Sequence, residues 1–448
     1  MPILLFKFMK ISRYTFTFCS EKGKKYAYNS LSNSLLEVDN QTYETIADNL
    51  GKPLCDVSKL DDETYSVLVE NGIITENDDD DFLKYKSIIY TQRECKEFMH
   101  LTIAPTMDCC FKCYYCFEDH KTRYYITDDI IDSIVSYINR QQEVKRLKIT
   151  WFGGEPLMAA EKIEFFYKQF KFPNNRYQYL DSNIITTGYH IDNAVIQMFK
   201  NVGISSVQIT LDGMKETHNT IKYLNGEDVF SKVWANIRLL KETAPEIEVV
   251  IRVNLTKRNA EEYQELLKLF ISDFHNSQKI SISPAFVLNR NNSAICRQSD
   301  LFSHSERSEF ILKLASKGIN SPFLNYPEPF FNECAIRNKV AISFDPEGYA
   351  YKCWEIIGNK QYAIGHLDNS GHIIEINEKI LNRQLFGAEP IDDQLCSKCK
   401  YLPICNGGCP IQRIQNKFEG AQNNTCTYMK GYLPDFMRYH ILRKSNNQ

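Results

Sequence analysis

Two periodicities alternate between residues 96 and 290. Apolar stretches of strand length, His100–Ile103, Leu147–Phe152, Ile184–Thr186, Ser206–Leu211, Val249–Leu255 and Lys279–Ser283, end in polar turns. Between them lie helical stretches, among them Asp128–Asn139, Ala159–Phe170, Asp192–Asn201 and Val229–Thr243. Strands that repeatedly give way to helices predict a parallel sheet, open or closed, with helices crossing its faces. In such sheets chemistry gathers at the carboxyl ends of the strands.

The flanks read differently. Tyr14–Phe18 and Lys25–Tyr28 read as strands, Asn40–Asn49 and Asp61–Asn71 as short helices, and Ile73 and Ile74 begin a closing strand after the stop Asn71-Gly72. Residues 1–75 are therefore expected to form a first module. The run Glu76–Asp81 is almost wholly acidic, and like charges at that density repel and stay solvated, so 76–95 is expected to be a linker. A bridging region spans 291–330. From 331 to 430 strands are short, turns frequent and cysteines dense, with Asp345-Pro346-Glu347-Gly348 turning the chain between Val340–Phe344 and Tyr349–Trp354. Residues 431–448 are expected to be a C-terminal tail.

Composition alters this picture only at cysteine. The 448 residues suffice for several cores, and the net charge of −3 gives no sign of a basic nucleic-acid surface. No stretch approaches the roughly 18 apolar residues of a membrane span, and Lys7 and Lys10 interrupt the apolar start with no cleavage site after it. A cytoplasmic protein without nucleic-acid or membrane partners is expected. Fifteen cysteines are many for such a chain, and clustered cysteines in a reducing compartment signify metal.

Cys109, Cys113 and Cys116 follow the first strand of the repeat with spacing C-x3-C-x2-C. Three thiolates so near can converge on one iron–sulfur cluster and leave one iron of a four-iron cube without a protein ligand, the open position typical of catalytic metal sites. Zinc, with His120 as fourth ligand, is the alternative.

The run Cys109–Cys116, with the aromatic Tyr115 before the last cysteine, resembles the signature of radical S-adenosylmethionine (SAM) enzymes. Trp151-Phe152-Gly153-Gly154-Glu155-Pro156 is similar to that family's GGEP motif, which holds the methionine amino group of SAM; its glycines permit close approach of backbone to a ligand. Three later strand ends also resemble the family: Thr186-Thr187-Gly188, Leu211-Asp212-Gly213 followed by His218-Asn219-Thr220-Ile221-Lys222, and Arg252-Val253-Asn254. Thr187 stands where relatives often show Asn, and Lys222 where they show Arg, which keeps the charge without the planar fork. The resemblance implies a partial (β/α)6 TIM-like barrel. It implies a [4Fe–4S] cluster on Cys109, Cys113 and Cys116. Cofactor contacts would come from Tyr115, Gly153, Gly154, Glu155, Thr186, Thr187, Asp212, Lys222, Arg252 and Asn254. It further implies reductive cleavage of SAM to a 5′-deoxyadenosyl radical that abstracts hydrogen from the substrate.

Seven further cysteines run C-x13-G-x4-C, then C-x2-C-x5-C-x3-C, then C-x16-C, the glycine being Gly348. This resembles the SPASM domain of radical SAM peptide-modifying enzymes, which carries two auxiliary four-iron clusters. The resemblance puts Cys334, Cys353 and Cys409 on the first and Cys396, Cys399, Cys405 and Cys426 on the second, for three [4Fe–4S] clusters in all. The first lacks a fourth ligand, for which Cys296 is a candidate. Otherwise Cys296, like Cys19, Cys55, Cys95 and Cys110, is a small hydrophobe.

SPASM relatives mostly act on peptides. One expectation is a maturase of ribosomally made peptides that installs a thioether or carbon–carbon cross-link. A second is an anaerobic sulfatase-maturating enzyme that oxidises Cys or Ser to formylglycine. A non-catalytic iron–sulfur electron-transfer or scaffold protein is a third, of another class. Sulfatase-maturating relatives carry an Asp directly after the cysteine matching Cys353, where this chain has Trp354, and place the first cysteine cluster near the N-terminus. The N-terminal module here resembles the winged-helix-like modules that bind leader peptides by strand addition. A precursor peptide with a leader and a low-potential donor such as flavodoxin or ferredoxin are the expected partners. Glu118, Asp212 and Glu355 are candidate proton acceptors.

Overall fold

The computed structural model describes residues 9–118, 123–170, 177–288, 297–319, 322–329 and 334–446. The chain begins with β1 (Lys10–Ile11), β2 (Thr15–Cys19), β3 (Lys25–Asn29), β4 (Leu35–Val38), α1 (Asn40–Asn49), α2 (Asp62–Glu70), β5 (Ile74–Thr75) and α3 (Asp78–Glu94). It then alternates through β6 (Phe98–Ile103), α4 (Asp128–Arg140), β7 (Arg146–Trp151), α5 (Ala160–Phe170), β8 (Tyr179–Thr186), α6 (Asn193–Val202) and β9 (Ser206–Leu211). There follow α7 (Lys215–Ile221), α8 (Val229–Thr243), β10 (Glu248–Leu255), α9 (Glu262–Phe274), β11 (Ile280–Phe286) and α10 (His304–Ser316). Last come β12 (Ile342–Phe344), β13 (Tyr349–Tyr351), β14 (Gly365–Leu367), β15 (Ile373–Ile374), α11 (Glu378–Phe386), α12 (Leu402–Cys405), α13 (Pro410–Glu419) and α14 (Leu433–Asn446).

Two compact units divide the chain: Cys95–Phe302 with Ala335–Leu385, and Met1–Glu94 with Ser303–Cys334 and Phe386–Gln448. The first carries one sheet in the order β11-β10-β9-β8-β7-β6-β12-β13-β14-β15. β6 to β11 are parallel neighbours in chain order, as the strand–helix rhythm requires. β12 extends them in parallel beside β6, and β13 to β15 continue antiparallel. The barrel stays open among the described residues, because β6 pairs with β7 and β12 while β11 pairs with β10. Along β9 and β10 every second residue is closed from solvent (Val207, Ile209, Leu211, Val249, Ile251, Val253, Leu255), whereas Gln208, Thr210, Arg252 and Asn254 on the other face line a cavity.

In the second unit β2, β3 and β4 form an antiparallel sheet and β1 pairs with β5. Ile11, Ala27, Ile46, Leu68, Ile73 and Ile74 make its N-terminal core, with Cys55 packed against them as the small hydrophobe expected.

Three expectations need correction here. The acidic run is not a linker: it opens the 17-residue helix α3. Asp78 to Asp81 occupy the first helical turn, where carboxylates meet the positive end of the helix dipole. The chain also supplies partners: Ser12 Oγ donates to Asp81 Oδ2 at 2.5 Å, the Arg13 amide donates to Asp78 Oδ1 at 3.1 Å, and Lys10 pairs with Asp78. Tyr85, Ile89 and Arg93, four residues apart, form its buried face. Tyr85 and Ile89 share a core with Tyr14, Leu31, Ile391 and Leu402. Nor is 431–448 a tail, since α14 covers most of it and Leu433, Phe436 and Met437 are buried. The expected strand Tyr349–Trp354 also leaves the sheet after Tyr351, and Trp354–Ile356 is a single 3-10 turn. His120 and Cys296 lie outside the described residues.

Candidate active site

The cysteine loop leaves the carboxyl end of β6 and is clamped by the turn after β7. The Gly154 amide donates to Thr106 O at 3.1 Å and the Glu155 amide to Asp108 O at 2.8 Å. A Cβ on Gly154 would lie 2.1 Å from Asp108 O, and one on Gly153, whose φ is +125°, 2.5 Å from Thr106 O. The glycines are therefore required by the backbone leading into Cys109, a closer constraint than the ligand approach expected of them.

A cavity of about 260 Å³ opens beside this loop. It brings together Cys109, Cys113, Cys116, Tyr115, Gly153, Gly154, Thr186, Thr187, Lys222, Arg252 and Asn254, with Glu118 and Glu355 also in its wall. Glu155 and Asp212 are not in that lining. Glu155 is fully buried; its carboxylate accepts from the Leu157 amide (3.0 Å), Thr186 Oγ1 (2.7 Å), the Thr187 amide (2.8 Å) and Thr187 Oγ1 (2.6 Å). It ties the end of β7 to the end of β8 and so presents both threonines to the cavity. The Thr in place of Asn at 187 is one of its donors.

Asp212 is equally buried and accepts from the Tyr115 hydroxyl and the Lys222 ammonium. Asn254 Nδ2 donates to the Tyr115 hydroxyl at 3.0 Å, and Arg252 Nε donates to Asn254 Oδ1 at 3.2 Å. One chain of polar contacts thus runs from α7 through the cysteine loop to β10. Burial pushes the Asp212 carboxyl up, but the Lys222 ammonium beside it outweighs this and holds it below the usual carboxylate range. Burial also pushes Tyr115 well up, so it stays a hydroxyl donor, and drives His218 down to about 3, so it stays neutral.

Sequence reasoning missed the aromatic wall. Phe117 stacks on Phe152 with ring centroids 6.0 Å apart, and Phe152 meets Trp354 at 5.8 Å; all three line the cavity. It missed Gln208 and Thr210 too, although polar residues at every second position of an otherwise apolar strand mark an inward face.

The second unit holds a second cavity, also about 260 Å³, ringed by Cys396, Cys399, Cys405 and Cys426. Arg413 Nη1 reaches Cys396 Sγ at 3.4 Å and Lys430 Nζ reaches Cys426 Sγ at 3.6 Å, two cations that sequence spacing did not reveal. Burial pushes the Cys405 thiol up to about 11. Gly408, in a left-handed conformation, abuts Thr425 O so closely that a Cβ there would lie 1.9 Å away, which brings the strand of chain before Cys426 against the turn after Cys405. Cys334 and Cys409 belong to this unit and Cys353 to the other. No group of three or more Cys, His, Asp or Glu among the described residues is set closely enough for a single metal ion. Four thiols around one cavity are the soft donors that an iron–sulfur cluster takes.

A cysteine trio at the carboxyl end of an open parallel barrel, beside a cavity that pairs an aromatic wall with polar strand residues, fits a class: enzymes that bind a reactive cofactor against an exposed iron–sulfur cluster. Residues 103–270 match the radical SAM superfamily, and the chain carries a radical SAM domain. That family implies SAM and a [4Fe–4S] cluster, and the residues present fit both: three cysteines line one cavity together with Gly153, Gly154 and the cation Arg252. Over 386 residues the chain is 22% identical to the cysteine-type anaerobic sulfatase-maturating enzyme of Clostridium perfringens (strain 13), covering 78% of this chain and 98% of that protein. Its fold matches native anSMEcpe with bound AdoMet and Cp18Cys peptide (TM-score 0.60, 19% identity, 78% of this chain and 98% of the other). It also matches Streptococcus suis SuiB bound to precursor peptide SuiA (TM-score 0.50, 13% identity, 90% and 95%). No helix among the described residues is long and apolar enough to cross a membrane.

Proposed function

We propose that this chain is a radical SAM maturase that installs a thioether or carbon–carbon cross-link in a ribosomally made precursor peptide. The carrying observation is extent. The likeness to the sulfatase-maturating enzyme leaves about a fifth of this chain outside it, whereas the fold match to SuiB spans 90%. The N-terminal strands and helices supply a segment of that size. In this reading residues 1–75 are a winged-helix-like recognition module, and β4, at an edge of its sheet, is where an extended leader adds a strand. Residues 331–430 are the SPASM region and raise the cluster count to three. The enzyme works in the cytoplasm with flavodoxin or ferredoxin as electron donor.

When bound, the cluster and SAM supply one-electron cleavage and a carbon-centred radical able to take a hydrogen atom from the substrate. The chain's own residues hold and shield that pair. Gly153 and Gly154 present backbone to the cofactor's methionine end and Arg252 its positive charge. The Phe117–Phe152–Trp354 wall offers an apolar face to the peptide. Glu118 and Glu355 take a proton released from it.

The reading is tested by anaerobic incubation of the reconstituted protein with SAM, reductant and the precursor peptide. 5′-Deoxyadenosine, methionine and a peptide lighter by two hydrogens are expected. A second reading, sulfatase maturation, is favoured by the coverage of 98% of the Clostridium relative. It takes over if a Cys- or Ser-containing sulfatase peptide becomes formylglycine while the precursor returns unchanged. Full clusters without any SAM cleavage would leave an electron-transfer or scaffold protein.

A further inference from the structure

Lys222 follows α7 at a position expected to contact the cofactor, yet its surroundings describe another role. The side chain is 1% exposed and its ammonium donates to Asp212 Oδ2. Asp212 is 0% exposed, and its Oδ1 accepts from the hydroxyl of Tyr115, the residue just before Cys116. Asn259 Nδ2 donates to Asp212 O at 2.6 Å and to Asn254 O at 2.9 Å, locking the ends of β9 and β10 together under this pair. A carboxylate so deep in the fold persists only if an opposite charge compensates it. Lys222 is that charge.

We infer that Lys222 is a positioning residue: it neutralises Asp212, which through the Tyr115 hydroxyl pins the cluster-binding segment to β9 and β10, and it is not itself a ligand of the cofactor. The inference rests on the SAM reading above. The two roles predict opposite results for one double variant. A ligand that is deleted stays lost whatever happens to Asp212. A counter-ion becomes dispensable once the charge it balances is removed. In Asp212→Asn/Lys222→Met no buried charge remains, and the Asn carbonyl oxygen still accepts from Tyr115.

The experiment uses the full chain, reconstituted anaerobically, as wild type, Lys222→Met, Lys222→Arg and Asp212→Asn/Lys222→Met. Iron per chain, melting temperature, the electron paramagnetic resonance signal of the reduced protein with and without SAM, and SAM affinity by equilibrium dialysis are measured. Lys222→Met is expected to lose the SAM-responsive signal, lower the melting temperature and weaken SAM binding at least about tenfold; the double variant recovers SAM affinity to within about threefold of wild type. Lys222→Arg, which keeps the charge, stays near wild type. A double variant that carries wild-type iron yet binds SAM as weakly as Lys222→Met overturns the inference, as does a Lys222→Met protein with wild-type melting and signal. Should wild-type protein bind no SAM, the SAM reading fails instead; the melting temperatures of the variants still report on the pairing.

Discussion

Gly154→Ala should cost this protein the iron held at Cys109, Cys113 and Cys116 while leaving iron at the C-terminal cysteines intact. The added methyl would sit 2.1 Å from Asp108 O and 2.7 Å from Met107 O, both backbone atoms that cannot rotate away. Cβ atoms essentially never approach closer than 3.0 Å, so the two backbones must part by about 0.9 Å. The same junction carries the hydrogen bond from the Glu155 amide to Asp108 O at 2.8 Å, which such a shift lengthens to about 3.7 Å, past the useful range. Overpacking of this kind costs about 1–3 kcal/mol and the lost hydrogen bond about 1 kcal/mol more. Because Asp108 immediately precedes Cys109, the strain falls on a ligand, and ligand geometry tolerates only a few tenths of an ångström. Iron content and the SAM-dependent resonance signal after anaerobic reconstitution are the assay. Loss of about four irons per chain, with the remaining iron unaffected, is expected. A Gly154→Ala protein with full iron and SAM-dependent signal would refute the claim that these glycines exist for the cysteine loop.

Two further outcomes follow from buried charges. The Arg93 guanidinium grips Glu389 through two bonds of 2.9 and 2.7 Å, both side chains about 95% buried, so Arg93→Met should lower the urea stability of its unit by about 3–5 kcal/mol; a loss below about 1 kcal/mol, the range of exposed pairs, would mean the contact is solvent-screened. His218 is held neutral, its pKa driven by burial from 6.5 down to about 3. As pH falls below 6.5 the unfolded chain takes up a proton that the folded one refuses, so stability is lost across that window by about 1.4 kcal/mol per unit. His218→Gln should flatten this slope in urea melts between pH 7 and 5.5, and parallel curves for the two proteins would contradict it.

Local rules carried the barrel repeat. α1, β9 and α8 begin and end where the sequence pattern predicts, because each is bounded by its own punctuation: Asp39 and Asp228 cap the two helices with their own carboxylates, and a polar turn closes the strand. The cysteine spacings likewise pointed to sites shared between thiols, and Cys396, Cys399, Cys405 and Cys426 line one cavity.

What the sequence by itself determined was thus the strand–helix rhythm of the barrel and a pool of candidate residues for cluster and cofactor. Only the tertiary structure decided how they are used. Asp78–Asp81 look repulsive in isolation, yet Lys10, Ser12 and Arg13, some 65 residues away in sequence, turn them into the start of a packed helix. Glu155 and Asp212 look like free acceptors until Thr186 and Thr187 from the end of β8, Tyr115 from the cysteine loop and Lys222 from the end of α7 occupy them. The physical reason is common to all of these. A charge is read locally by its sign, but its role is set by what compensates it, and the compensating group comes from distant chain that folding brings within hydrogen-bond reach.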